Sequence, residues 1–184
     1  MVPNLRPAVF MDRDGTVIHD VGYPREPAQV RLLPGAGESL AELQRVGMAL
    51  VVVSNQSGIG RGLITEDEAR QVHERVVALL AEFGVQLDAF CYCPHAPEAG
   101  CGCRKPSPAM LLEAADRLGL DLARSFMVGD RATDIEAGKR AGCRTVLLAP
   151  DGASEVTADA LAADWAAVMR QILAWHTNGE RGQL

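Results

Sequence analysis

Residues 9–16 read VFMDRDGT, three apolar residues that run into Asp12 and Asp14 with Arg13 between them. Two carboxylates this close repel each other, so they need a cation, a shared proton or solvent. Such a pair can supply a nucleophile, an acid or base, or oxygen ligands for a hard cation. A turn ending at Gly15 would account for the pair equally well. Two further stretches add to it. VVVSNQSGIGRG ends an apolar run on Ser54, Asn55, Gln56 and Ser57, whose hydroxyl and amide groups can offer donors to an oxyanion. MVGDRATDIEAG brings a second carboxylate pair, Asp130 and Asp134, with Arg131 beside it.

A different chemistry is written in CYCPHAPEAGCGCRKP, residues 91–106. Cys93, His95, Cys101 and Cys103 are four soft ligands in one short loop, a set that suits tetrahedral zinc in a closed, structural site. A chance group of reduced thiols, or a labile Cys101–Cys103 disulfide, are the other readings. Cys91 is a rival ligand but falls within an expected strand and suits a packed small hydrophobe. Cys143 stands alone and is expected in the core. Arg104 and Lys105 follow the last ligand directly, so metal binding would fix two cations in place.

Short apolar runs alternate with amphipathic ones, and these elements must position the groups above. Strands are expected at 7–11, 48–53, 87–92, 125–128 and 144–148, and helices near 36–46, 66–83, 108–119, 133–141 and 158–175. Thr65 with Glu68 forms a capping-box pattern, and Ser107–Pro108 places proline at a first helical position. Gly47, Gly84, Gly119 and Gly142 mark helix ends. The alternation predicts an α/β fold, a doubly wound and mainly parallel sheet with helices on both faces. Ligands of such sheets bind beyond the carboxyl ends of the strands. Asp12, the 54–57 group and Asp130 are therefore expected on one rim. One domain is expected over residues 1–176, with a metal loop at 93–103 and a disordered tail at 177–184.

Of 184 residues, 48% are hydrophobic and 23% charged, which suits a folded domain with a sizeable core. The net charge of −6 argues against a nucleic-acid binder. No window approaches the roughly 20 apolar residues of a membrane span. The amino terminus lacks the basic start and apolar core of a signal peptide. Five cysteines in such a chain point to a reducing, cytoplasmic setting. No obligate protein partner is indicated.

DRDGT, VVVSN, RKP and GDRATD, in that order, resemble the four motifs of the haloacid-dehalogenase-like (HAD) phosphatase superfamily, over residues 9 to about 148. The resemblance implies a Rossmann-like fold without a large cap domain. It implies Asp12 as nucleophile, passing through an aspartyl-phosphate, and Asp14 as general acid and base. Magnesium would be held by the Asp12 and Asp130 carboxylates and the Asp14 main-chain carbonyl. Ser54, Asn55 and Lys105 would bind the phosphoryl oxygens. Asp134 would orient Lys105 or a water, or act only as a helix-start carboxylate. A phosphate-accepting receiver module shares the sheet, an aspartate, a hydroxyl and a lysine, but it has no need of Asp14 or of the cysteine loop.

The cysteine loop narrows the resemblance to two families, the D-glycero-D-manno-heptose 1,7-bisphosphate 7-phosphatases of bacterial heptose biosynthesis and the histidinol-phosphate phosphatases. SNQSGIGRG is similar to the N-Q-S-G-I-x-R-G loop of the first, whereas the second typically has N-Q-D-G-L-G. By the same resemblance Asp20, Val21, Gly22 and Tyr23 would touch the sugar, and Ser54 through Ser57 would surround the phosphate. Arg104 and Arg131 would recognise the rest of a small phosphorylated sugar. Ile18 and Arg131 depart from the asparagine and lysine usual there. Arg13 and Arg61 are expected to add to a positive rim.

Overall fold

The computed structural model describes residues 5–152 and 155–181. Six parallel strands form one sheet: β1 (Ala8–Met11), β2 (Ala49–Asn55), β3 (Ala89–Cys93), β4 (Phe126–Gly129), β5 (Arg144–Leu148) and β6 (Ala160–Ala162), in the order β3-β2-β1-β4-β5-β6. The helices are α1 (Ala36–Arg45), α2 (Ser57–Gly60), α3 (Glu66–Ala81), α4 (Ala109–Leu118), α5 (Ala132–Ala141) and α6 (Trp165–Arg181).

The alternation along the strands decides what each face buries. Val9 and Met11 of β1, with Leu50 and Val52 of β2, meet α1, α3 and α6 through Leu40, Val72, Val76, Val168 and Ile172. Ala8 and Phe10, with Ala49, Val51 and Val53, meet α4 and α5 through Met110, Leu111, Ala114 and Ala137. A strand buried on both sides reads as a nearly continuous apolar run, as residues 49–53 of β2 do before the buried Ser54.

The expected strands and caps are found, with three differences. The helix expected from 158 begins at Trp165, because residues 160–162 pair with β5 as an edge strand and Asp164 Oδ1 accepts from Ala167 N at 2.7 Å. α6 continues through Arg181, so the tail expected from Thr177 starts as helix; residues 182–184 lie outside the described residues. Pro108 precedes the first turn of α4 instead of opening it.

The strand order reverses between β1 and β4. Chain segments 2 and 3 build outward on one side of β1, and segments 4 to 6 on the other. A crevice opens at the carboxyl end of such a switch point. Asp12 leaves β1 there and Asp130 leaves β4, so residues far apart in sequence become neighbours. The connection after β1 is pinned from below, where Trp165 Nε1 of α6 donates to Thr16 O at 2.7 Å. Short loops cover this edge, and no separate cap domain is present among the described residues.

Candidate active site

Asp12 is nearly buried and accepts Lys105 Nζ at 2.7 Å. The same ammonium reaches Val53 O at 2.7 Å and Asp134 Oδ1 at 2.6 Å. Burial opposes the charge on Lys105, but Asp12 and Asp134 outweigh it and hold the ammonium above the usual lysine range. Asp134 does two jobs. Its Oδ1 meets Lys105 while its Oδ2 accepts Arg131 N at 3.1 Å at the start of α5, so it is more than a helix-start carboxylate. Asn55 fixes the lysine's main chain: its Oδ1 accepts Lys105 N at 3.0 Å and its Nδ2 donates to Lys105 O at 3.2 Å. That leaves one Nδ2 hydrogen for another acceptor.

Asp14, two residues on, has its own set of partners. Arg13, expected on the rim, is only 1% exposed and turns back onto Asp14, donating through Nε and Nη2 at 3.1 Å each. Gln56 Nε2 donates to Asp14 Oδ2 at 2.9 Å and to Ser54 Oγ at 2.7 Å. Burial lifts the Asp14 carboxyl above the ordinary range; Arg13 opposes this and the charge on Asp12 adds to it. A carboxyl kept high in this way is suited to carrying a proton.

Asp12, Asp130 and Asp134 place carboxylate oxygens within 4.8 Å of one another. Both oxygens of Asp134 are already engaged, so Asp12 and Asp130 are the better candidates for holding a cation. Burial and then the Asp12 charge raise Asp130, against Arg131. Burial likewise raises Asp134 to about 6, against Lys105. The cluster is therefore short of positive charge, which a hard divalent ion with oxygen ligands would supply. Gly15, at φ +81°, leaves room for this carboxylate, since a Cβ there would lie 2.4 Å from Asp130 Oδ2.

A cavity of about 790 Å³ joins these groups. Asp12, Asp14, Asp20, Gly22, Tyr23, Asn55, Gln56, Ser57, Arg104, Lys105 and Arg131 all line it, together with Pro97 and Thr133, which were not expected. Arg104 Nη1 is buried and has no partner among the described residues. Val21 is not part of the lining and is half exposed. Ser54 lies just beneath the lining, 1% exposed, under Gln56.

Contacts between loops give the cavity its rim. Arg131 Nη2 pairs with Asp20 at 2.8 Å, and Arg61 Nη1 donates to Tyr23 Oη at 3.1 Å. Arg61 also lies 3.7 Å from Glu98 in the cysteine loop. The glycines of the S-G-I-G stretch now have a physical reason. A Cβ on Gly58 would lie 2.5 Å from the Tyr23 ring, and one on Gly60 would lie 2.4 Å from Ala96 N. The tyrosine loop and the cysteine loop both dock against α2, which only glycine permits.

The four soft donors converge as expected. Cys93 Sγ lies 3.5 Å from His95 Nδ1, 3.5 Å from Cys101 Sγ and 3.0 Å from Cys103 Sγ. Cys103 Sγ lies 3.3 Å from His95 Nδ1 and 3.6 Å from Cys101 Sγ. No pair is at disulfide distance. The edge of a zinc–sulfur tetrahedron is about 3.7 Å, so the donor cage is close to the right size. Burial, with Cys103 beside it, pushes the Cys93 thiol up to about 12, so a thiolate there calls for a cation. Cys91 stays outside the cage, within contact of Arg117, and Cys143 is buried.

Residues 102–173 match the HAD-hydrolase-like family. The chain is 42% identical over 166 residues to the D-glycero-beta-D-manno-heptose-1,7-bisphosphate 7-phosphatase of Yersinia pestis, covering 86% of this chain and 88% of that one. The Escherichia coli K12 protein of the same name is also 42% identical, with 86% and 87% covered. The structure superposes on the D,D-heptose 1,7-bisphosphate phosphatase of B. bronchiseptica, which is complexed with magnesium and phosphate. The TM-score is 0.81 at 35% identity, covering 91% of this chain and 98% of that one. Membership of a hydrolase family decides against the phosphate-accepting signalling module. The chain is a phosphoric monoester hydrolase of the HAD-like superfamily and belongs to the family of the D-glycero-beta-D-manno-heptose-1,7-bisphosphate 7-phosphatases.

Proposed function

We propose that the enzyme removes the 7-phosphate of D-glycero-D-manno-heptose 1,7-bisphosphate, with Asp12 as nucleophile and Asp14 as acid and base. The observation that carries this reading is the convergence of Asp12, Asp14 and Lys105 on one cavity in a chain of this family. Asp12 attacks phosphorus while Asp14 gives its proton to the departing alkoxide. Asp14 then takes a proton from the water that attacks the aspartyl-phosphate, and phosphate leaves with Asp12 restored. Lys105, held on Asp12 by Asn55 and Asp134, offsets charge as the anionic phosphate approaches. Ser54 and the second hydrogen of Asn55 Nδ2 supply further donors to the phosphoryl oxygens.

The Asp12 and Asp130 carboxylates and the Asp14 main-chain carbonyl would hold magnesium. When bound, it would offset the crowded negative charge and polarise the phosphoryl group. Cys93, His95, Cys101 and Cys103 would hold zinc, which would fix the loop that carries Arg104 and Lys105. Arg104, Arg131, Asp20 and Tyr23, which line the cavity, would meet the sugar and its second phosphate, and Ser57 would border the transferring one. Val21, half exposed and outside the lining, is given no contact with the sugar. No helix among the described residues is long and apolar enough to cross a membrane, and all five cysteines are unpaired, which supports a reducing cytoplasmic setting.

The test is magnesium-dependent hydrolysis of heptose bisphosphate against histidinol phosphate. Higher kcat/KM on the heptose is expected. Higher efficiency on histidinol phosphate would reverse the substrate assignment.

A further inference from the structure

We propose that Arg13 and Gln56 are positioning residues for Asp14, a side-chain clamp that fixes the acid–base carboxylate where it lines the cavity. The inference rests on the acid–base reading of Asp14 given above. Arg13 reaches both oxygens, Nε to Oδ2 and Nη2 to Oδ1 at 3.1 Å each with Nη2 also 2.9 Å from Oδ2, and several contacts from one rigid guanidinium orient the carboxylate as a single point charge would not. Gln56 then fixes the guanidinium, accepting Nη2 on Oε1 at 2.9 Å.

The orientation of the Gln56 amide is not arbitrary. Its two Nε2 hydrogens go to Asp14 Oδ2 and Ser54 Oγ, and its oxygen faces the arginine. Turned over, it would set oxygen against a carboxylate and an amino group against a guanidinium. Because Ser54 Oγ accepts from Gln56, its own hydrogen is left to donate elsewhere. One amide therefore ties the acid–base group to a phosphate-binding hydroxyl. Arg13 and Gln56 are 1% and 5% exposed; Arg13 acts from beneath the cavity wall and Gln56 from within it.

A clamp and a plain structural ion pair differ in one measurable respect. An alkoxide leaving group needs the Asp14 proton, whereas para-nitrophenolate departs without it. The readout is the ratio of kcat/KM on heptose bisphosphate to that on para-nitrophenyl phosphate, since kcat/KM reports the steps through departure of the leaving group. Arg13→Gln should lower that ratio about 100-fold, within the usual contribution of acid–base catalysis. Gln56→Met should lower it about tenfold, and Arg13→Lys, which keeps the charge but not the fork, should not restore it. Equal losses on both substrates, or no loss on the sugar, would overturn the clamp.

If Arg13→Gln does not fold, Gln56→Met and Arg13→Lys decide by the same ratio. Asp14→Asn is the reference. If it leaves the ratio unchanged, the acid–base reading itself fails; if it collapses the ratio while the clamp variants do not, only the clamp fails.

Discussion

Two clusters of electron-rich groups sit at neighbouring strand ends, and the chain treats them differently. Around the carboxylates it supplies its own cations: Lys105 between Asp12 and Asp134, Arg13 on Asp14, and Arg131 near Asp20 and Asp130. Around Cys93, His95, Cys101 and Cys103, the close polar side-chain pairs among the described residues are those of the four donors with one another, while the cysteines also pack on the apolar core. The first cluster is folded chemistry with part of its charge already offset, ready to accept one more cation. The second has no cationic side chain among its four donors, so a bound metal ion would be what ties them to one another. Loss of metal should therefore cost the first cluster activity and the second one structure.

The largest expected effect breaks the first cluster. Asp12→Asn should lower kcat by about four orders of magnitude or more, as loss of a nucleophile does, while the melting temperature stays near that of the wild type. Lys105 keeps Asp134 and Val53 O, so no buried ammonium is left alone. Substantial turnover by a well-folded variant would remove Asp12 from the nucleophile role.

Breaking the second cluster should show the opposite balance. Cys103→Ser, or chelation of zinc, should lower stability by about 3 kcal/mol, roughly 6–12 °C in Tm, as loss of a structural metal does in a chain of this size. Activity should fall with it, because the loop also carries Arg104 and Lys105. Elemental analysis should give about one zinc per wild-type chain. A zinc-free wild-type protein with unchanged Tm and rate would refute the contrast.

A smaller effect lies at the rim, where charges are exposed. Arg131 is 62% exposed and its pair with Asp20 is open to solvent, so such a pair contributes little to stability. Arg131→Ala should raise KM on heptose bisphosphate about tenfold with kcat nearly unchanged, since it removes binding common to ground and transition states. A fall in kcat without a change in KM would place Arg131 in the chemical step.

Much of this was legible in the sequence where the signal is local. Unbroken apolar runs showed the central strands, and the short motifs at their ends named Asp12, Asp14, Asp130 and the four soft donors. The Thr65–Glu68 box showed where α3 starts. What was missed depends on contacts remote in sequence or on segments too short to carry a period. β6 is three residues, Ala-Leu-Ala, and α2 is four, so neither repeats a pattern. Arg13 looked like a rim cation because position 13 lies between two exposed-looking acids. Only the placement of Gln56, 43 positions away, shows that it turns inward. The Arg131–Asp20 pair spans 111 positions and has no sequence signature.

The reach of Arg13 extends one step beyond Asp14, and pH makes that visible. His73 stacks on Phe90 at 3.7 Å, and its Nδ1 is buried without a partner among the described residues. It shares a cavity of about 430 Å³ with Arg13, Arg70, Glu66 and Asp67. Burial, and then the charge on Arg13, depress its pKa to about 4, with Glu74 opposing. An unfolded histidine titrates near 6.5. Between these values the unfolded chain binds a proton that the folded chain refuses. The contribution of His73 to stability is thus fully present above about pH 6.5 and is lost as the pH falls toward 4. Carboxylates titrate in the lower part of this window too, so the informative quantity is the difference between wild type and His73→Phe. Urea denaturation across the window should show the variant losing less stability than the wild type as the pH falls. Parallel curves would mean that His73 is open to protons in the folded state, and that the compensating charge at the carboxylate cluster ends at Asp14.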